Sequence, residues 1–157
     1  AVAGRGREAE ARAEAALVKF ADVFNAYPST RAGIAARYYA AAALSMLGRP
    51  AEAATRYQEI VDRAGGSDFY GRMARLGLVE ANAQAKQYDL AIREAQALVN
   101  NTSDETIPRD ALLMQLGRVQ AAAGKKADAK QTFDKVIAEF PESSYLDEAK
   151  QQLANLS

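Results

Sequence analysis

The stretch Ala123-Gly124-Lys125-Lys126-Ala127-Asp128-Ala129-Lys130-Gln131-Thr132-Phe133-Asp134-Lys135-Val136 has two earlier counterparts in the chain. Slid back by 38 residues it lies on Ala85-Lys86-Gln87-Tyr88-Asp89-Leu90-Ala91-Ile92-Arg93-Glu94-Ala95-Gln96-Ala97-Leu98, and slid back again on Leu47-Gly48-Arg49-Pro50-Ala51-Glu52-Ala53-Ala54-Thr55-Arg56-Tyr57-Gln58-Glu59-Ile60. Each copy turns at Gly48, Lys86 or Gly124 and then repeats apolar residues at helical spacing: Ala53, Tyr57 and Ile60; Ala91, Ala95 and Leu98; Ala129, Phe133 and Val136. Those positions fall on one stripe of a helix, where the small residue lets a second helix approach closely. Units of this size cannot bury their own stripes and must stack, which is the mark of a solenoid. Such arrays usually present a surface rather than run a reaction.

Composition agrees with helix throughout. Alanine supplies 36 of the 157 residues, and beside Leu, Glu, Lys, Arg and Gln it favours helix in nearly every segment. A chain of this length forms one domain by the length prior and buries roughly 70% of its unfolded surface. The 20 acidic and 20 basic residues leave no net field for a polyanion, so nucleic acid is excluded as a partner. Cysteine and histidine are absent, which excludes disulfides, thiol nucleophiles, imidazole catalysis and soft-metal sites. No cofactor is implied, and no apolar run approaches the ~18 residues of a membrane span.

Breaks at Pro28, Ala64-Gly65-Gly66-Ser67-Asp68, Asn100-Asn101-Thr102-Ser103-Asp104 and Pro141 alternate with the short turns. They predict helical hairpins, with helices near 8–26, 31–46, 50–63, 69–85, 88–99, 107–122, 126–139 and 144–155. Pro50 and Pro108 suit first-turn positions, where a missing N–H goes unused. Ser144-Tyr145-Leu146-Asp147 reads as a capping box with Asp in place of Glu. The first helix carries the stripe Ala16, Phe20 and Val23 and closes on Tyr27-Pro28, as the last repeat closes on Phe140-Pro141.

These residues resemble the tetratricopeptide repeat family, whose pattern joins Leu-Gly, a turn Gly, an Ala, an aromatic four residues later and a closing Pro. Leu116-Gly117, Gly124, Ala129, Phe133 and Pro141 match it best. Gly48, Ala53 and Tyr57 match with Ala40-Ala41 in place of Leu-Gly, and the middle copy departs from it at Lys86 and Ala95. The spacings of 37, 38 and 38 between Ala16, Ala53, Ala91 and Ala129 exceed the family's usual period of about 34. Longer links of this kind, with the closing Phe140 to Ala149 segment, look like bacterial cell-envelope members, and Tyr70 to Leu98 looks most like the translocon-associated group. The resemblance implies an all-α, right-handed α-solenoid of antiparallel helix pairs, about 3.5 repeats plus a C-terminal capping helix. The expected parts of a single domain over 1–157 are a half repeat (1–28), repeats over 31–66, 69–104 and 107–141, and the cap (144–157).

In the family the first helices of the hairpins line a groove that holds a protein or peptide segment. Carried over, the groove positions are Ala35, Tyr38, Ala42, Ser45 and Met46, then Met73, Leu76, Glu80, Ala83 and Gln84, then Met114, Arg118, Ala121 and Ala122. All three methionines fall among them, which suits a surface that accepts varied apolar partners, with Tyr38 as aromatic anchor. The opposing reading is that these methionines pack as core. A clamp for acidic tails is excluded, because the matching places hold Tyr38, Ala42, Leu76 and Glu80 rather than Lys, Asn and Arg.

No catalytic constellation is visible among the carboxylates, lysines and hydroxyls, so the chain reads as a non-enzyme. The acidic and basic residues from Arg5 to Glu14 form a solvated helix face. Asp104 and Glu105 lack the ligand count of a calcium loop and read as helix caps. Tyr38 and Tyr39 diverge by about 100° on a helix, so one packs inside while the other faces the groove. The run from Ala3 to Ala16 either continues out of a preceding membrane anchor or is a solvated helix end. The sequence expectation is a protein-interaction scaffold, monomeric or weakly self-associating, with the bacterial envelope favoured over the cytoplasm. Two alternatives stay open: a self-associating structural module and a regulatory domain of a larger protein.

Overall fold

The computed structural model describes residues 2–64 and 68–157 and is all-helical. Among the described residues the elements are α1 (Val2–Ala26), α2 (Arg31–Met46), α3 (Pro50–Ala64), α4 (Phe69–Gln84), α5 (Tyr88–Asn100), α6 (Arg109–Ala122), α7 (Lys126–Glu139) and α8 (Leu146–Asn155). The chain divides into two compact units, Ala1–Ala85 and Lys86–Ser157. In the first, α1 packs on α2, α2 on α3 and α3 on α4, and α2 also touches α4. In the second, α5 packs on α6, α6 on α7 and α7 on α8. Short connections make successive helices antiparallel, so α2 and α4 run in the same direction.

The turns explain the repeat. Gly48 and Gly124 adopt φ of 70° and 76°, and Lys86, at the equivalent place, adopts φ 60°. At Gly48 the amide donates to Ser45 O (3.1 Å) and the Arg49 amide to Leu44 O (2.9 Å); at Gly124 the bonds run to Ala121 O (3.0 Å) and from Lys125 to Gln120 O (2.9 Å). Both are Schellman closures, which use the left-handed residue to satisfy the last free carbonyls of a helix.

Side chains set the starts of α2 and α4. The Thr30 hydroxyl accepts from Gly33 N (3.1 Å) and the Asp68 carboxylate from Gly71 N (2.6 Å), each an N-cap bond. Pro50 is the first residue of α3, as its missing N–H requires. Pro108 instead stands one place before α6, at the N-cap with ψ 132°, so it ends the preceding link rather than opening the helix. Asp104 accepts from Thr106 N (3.0 Å) and holds the link's turn instead of capping α6. The capping box at Ser144 is also absent. Tyr145 is the N-cap of α8 without a side-chain bond, and the neighbouring Ser143 hydroxyl accepts from Tyr145 N (3.1 Å) while donating to Asp110 (2.6 Å). The break at Gly65-Gly66-Ser67, and with it the end of the expected first repeat, lies outside the described residues.

The stripes are buried. Ala53, Ala91, Ala129, Phe133 and Val136 are fully enclosed, and Tyr57, Ile60, Ala95 and Leu98 nearly so. Full burial of a side chain such as Phe133 contributes about 1.5–3 kcal/mol. In α1 the buried Phe24 and the half-buried Leu17, Phe20 and Ala21 form the seam against Ala36 and Ala40 of α2. Val23, placed on the stripe by sequence spacing, is exposed, because four residues from Phe20 rather than three returns to the face that meets α2.

Candidate functional site

Two helices of the first unit, α2 and α4, lie side by side and carry most of the residues that sequence assigns to a groove. Tyr38 stands at their junction. Its ring lies 5.7 Å from that of Tyr57 on α3 and 5.8 Å from that of Tyr70 on α4, both at tilted or edge-on angles. The chain of rings continues through Tyr39 (5.7 Å from Tyr38) to Phe20 and through Tyr70 (5.2 Å) to Phe69. Offset and edge contacts at these distances contribute about 0.5–1.5 kcal/mol each beyond burial. Tyr57 is 5% exposed and anchors the ladder in the core, whereas Tyr39 and Phe69 are 49% and 57% exposed. Tyr38 and Tyr70 are half-buried and pack against the core cluster of Ala41, Leu44, Ala53, Tyr57, Ile60 and Leu78.

A glycine makes the arrangement possible. A Cβ on Gly77 of α4 would sit 2.5–2.8 Å from ring carbons of Tyr57, so the ring occupies the space a side chain would fill. The second unit repeats the device between Gly117 and Phe133, whose ring carbon lies 2.6 Å from such a Cβ.

Electrostatics join Glu80 to the same place. Burial pushes the Tyr57 phenol up to about 12, with Tyr38 and the Glu80 charge adding to it and a hydrogen bond with Ser45 acting the other way. Tyr38 is also raised, first by burial and then by Tyr39, Tyr70 and Glu80. Glu80 is exposed and accepts from Gln84 Nε2 at 3.2 Å.

The expected groove residues separate into different settings. Tyr38, Ala42, Met73 and Leu76 are half-buried in the first unit, and Glu80 is exposed. Ala35, Ser45 and Ala83 are half-buried and Gln84 is exposed. Met46 is 83% exposed and lines a cleft of about 440 Å³ with Gly6, Ala9, Glu10 and Ala13 of α1. Met114 is a correction: it is 0% exposed, a core side chain with no surface to offer a partner. The apolar period cannot separate the two faces of an alanine-rich helix whose neighbours cover both. Arg118 is exposed, and its guanidinium makes a bidentate pair with Glu148 of α8 (2.8 and 2.7 Å) and lies 5.8 Å from the Tyr145 ring. It fastens the terminal helix. Ala121 is half-buried and Ala122 exposed beside it.

Sequence reasoning also missed Tyr70, Phe69 and Gly77. Tyr70, Met73, Gly77 and Glu80 are spaced by three and four, so they share a face of α4, and this was the available signal. A polar knot supports the floor: Arg37, 6% exposed, pairs with Glu59 and lies 4.4 Å from the Phe24 ring, and Arg56 reaches Glu59 at 2.7 Å.

Antiparallel helices with stripes repeating in register define each unit as a helical-repeat array. The tetratricopeptide repeat family matches residues 35–67 and 110–143, which cover α3 and α7 and most of α2 and α6. Repeats of that family generally mediate contacts between proteins. No curated protein and no solved structure matches the chain. Among the described residues, no helix is long and apolar enough to cross a membrane.

Proposed function

We propose that the chain is a non-catalytic interaction scaffold that receives a partner segment along the α2–α4 face of its first unit. The observation that carries this reading is the ladder of six rings from Phe20 to Phe69, rooted in the core at Tyr57 and open at Tyr39 and Phe69. Rigid aromatic groups fixed by packing lose little entropy on binding and dominate interface energetics. Met73 and Leu76, half-buried on the same helix, supply adaptable apolar contact. The pathway we assign is bacterial envelope translocation or assembly, on the resemblance of the long links and the Phe140 to Ala149 closure.

A photo-crosslinking residue placed at Met73 tests the surface, with one at the exposed Gln131 of α7 as control. The reading expects a discrete adduct from position 73 in the native cell and none from 131. Equal labelling from both positions overturns it.

A second reading, self-association, draws on α1, whose Val18 is 64% exposed. Sedimentation at high micromolar concentration separates the two: a dimer lost on Val18→Glu supports self-association, and a monomer opposes it.

A further inference from the structure

Resting on the proposed function, we infer that the α2–α4 face selects a segment bearing a cationic side chain, arginine or lysine, which seats between the Tyr38 ring and the Glu80 carboxylate. The charge of the face points to this partner. On α4 the positions in line with Tyr70 are Met73, Gly77, Glu80 and Gln84, and on α2 Ala42 and Ser45 follow Tyr38. Glu80 is the sole ionisable carboxylate or cation among them. Arg37, the cation nearest in sequence to Tyr38, is buried and committed to Glu59. Glu80 accepts from the neutral Gln84 amide.

The helix ends reinforce the sign. The C-termini of α2 and α4 point the same way, and neither carries a basic residue in its last turn to offset the partial negative charge of the terminal carbonyls. Glu80 lies in the last turns of α4, so carboxylate and helix ends add. Tyrosine faces present negative quadrupole density, and a cation within about 6 Å of a ring centroid gains from it. Glu80 stands one helical turn beyond Gly77, where the Tyr57 ring occupies the space of a side chain, and that ring lies 5.7 Å from the Tyr38 ring. Apolar residues flanking the cation would lie on Tyr70 and Met73.

Selection from a random-peptide display library tests this, using the whole 157-residue chain as bait. The expected result is enrichment of peptides holding an Arg or Lys beside apolar residues. A synthetic winner should bind about three- to tenfold more weakly to the Glu80→Gln variant, and by a similar factor when its arginine is replaced by neutral citrulline. Glu80 is exposed, so circular dichroism of that variant should match the parent. Enriched peptides without a cation, or winners indifferent to Glu80→Gln and citrulline, overturn the cationic preference and leave the scaffold reading standing. No enrichment above an unrelated helical protein overturns both.

Discussion

The ring of Tyr57 takes the place of a side chain at Gly77: a Cβ there would lie 2.5 Å from the ring's Cζ. This contact couples α3 to α4 and holds the aromatic ladder at its centre. Alanine at an exposed mid-helix glycine stabilises by about 0.5–1 kcal/mol, whereas overpacking costs about 1–3 kcal/mol. Gly77→Ala should therefore lower the stability measured by urea unfolding, while Gly6→Ala, with nothing within 4 Å, should raise it. A stabilised Gly77→Ala protein would contradict the packing.

The left-handed turns supply a second prediction. Lys86 adopts φ 60° where the two equivalent turns use glycine. A side chain in that conformation is strained by about 1–2 kcal/mol, partly offset by the entropy glycine loses on folding. Lys86→Gly should raise the thermal midpoint, and Gly48→Ala or Gly124→Ala should lower it. A lower midpoint for Lys86→Gly would show that the Lys86 side chain makes a compensating contact.

The methionines give a third. Met114 is fully enclosed and Met46 is 83% exposed. Met114→Ala should cost about 2–5 kcal/mol by cavity formation, and Met46→Ala should stay within about 0.5 kcal/mol. Similar losses at both positions, read from chemical denaturation, would contradict the assigned burial.

Removing Glu59 should expose the weakness of a buried cation. Arg37 is 6% exposed, and without its carboxylate partner the guanidinium is left uncompensated. Complete burial would make the loss about 3–5 kcal/mol, but the Glu59 side chain is 32% exposed, so water reduces it to about 1–3 kcal/mol. The double variant Arg37→Met with Glu59→Met should recover part of the loss in calorimetry. Additive losses would argue that the two residues are not a functional pair.

Alkaline titration follows from Tyr57. Its phenol ordinarily titrates at 10.0 and is pushed up to about 12, so the fold favours the neutral form. The associated stability is fully present below pH ~10 and is lost as pH rises toward about 12, because the unfolded chain releases the proton first. Ultraviolet difference absorbance should show a late-ionising tyrosine that disappears in Tyr57→Phe. Titration of every tyrosine near 10 would contradict its burial.

Most helix boundaries were legible because alanine-rich runs, left-handed turn residues and caps all point to the same state. The boundaries of α2 and α7 agree residue for residue with the sequence reading. Departures have specific causes: Pro108 and Ser143 play roles that depend on link geometry and on a distant partner, Asp110. The candidate face was only partly legible. Tyr38 was assigned to it by the family resemblance, and its meeting with Tyr57 and Tyr70 depends on helix packing that no local pattern encodes. Met114 and Arg118 sat at matching register positions, yet one is enclosed by neighbours and the other is claimed by Glu148.

Nuclear magnetic resonance mapping of the isotopically labelled chain with a display-selected peptide locates the binding face. Shift changes grouped at Tyr38, Ala42, Met73, Gly77 and Glu80 are expected. Changes grouped instead on α7 and α8, or around Met46 and the first half of α1, would contradict binding on the α2–α4 face.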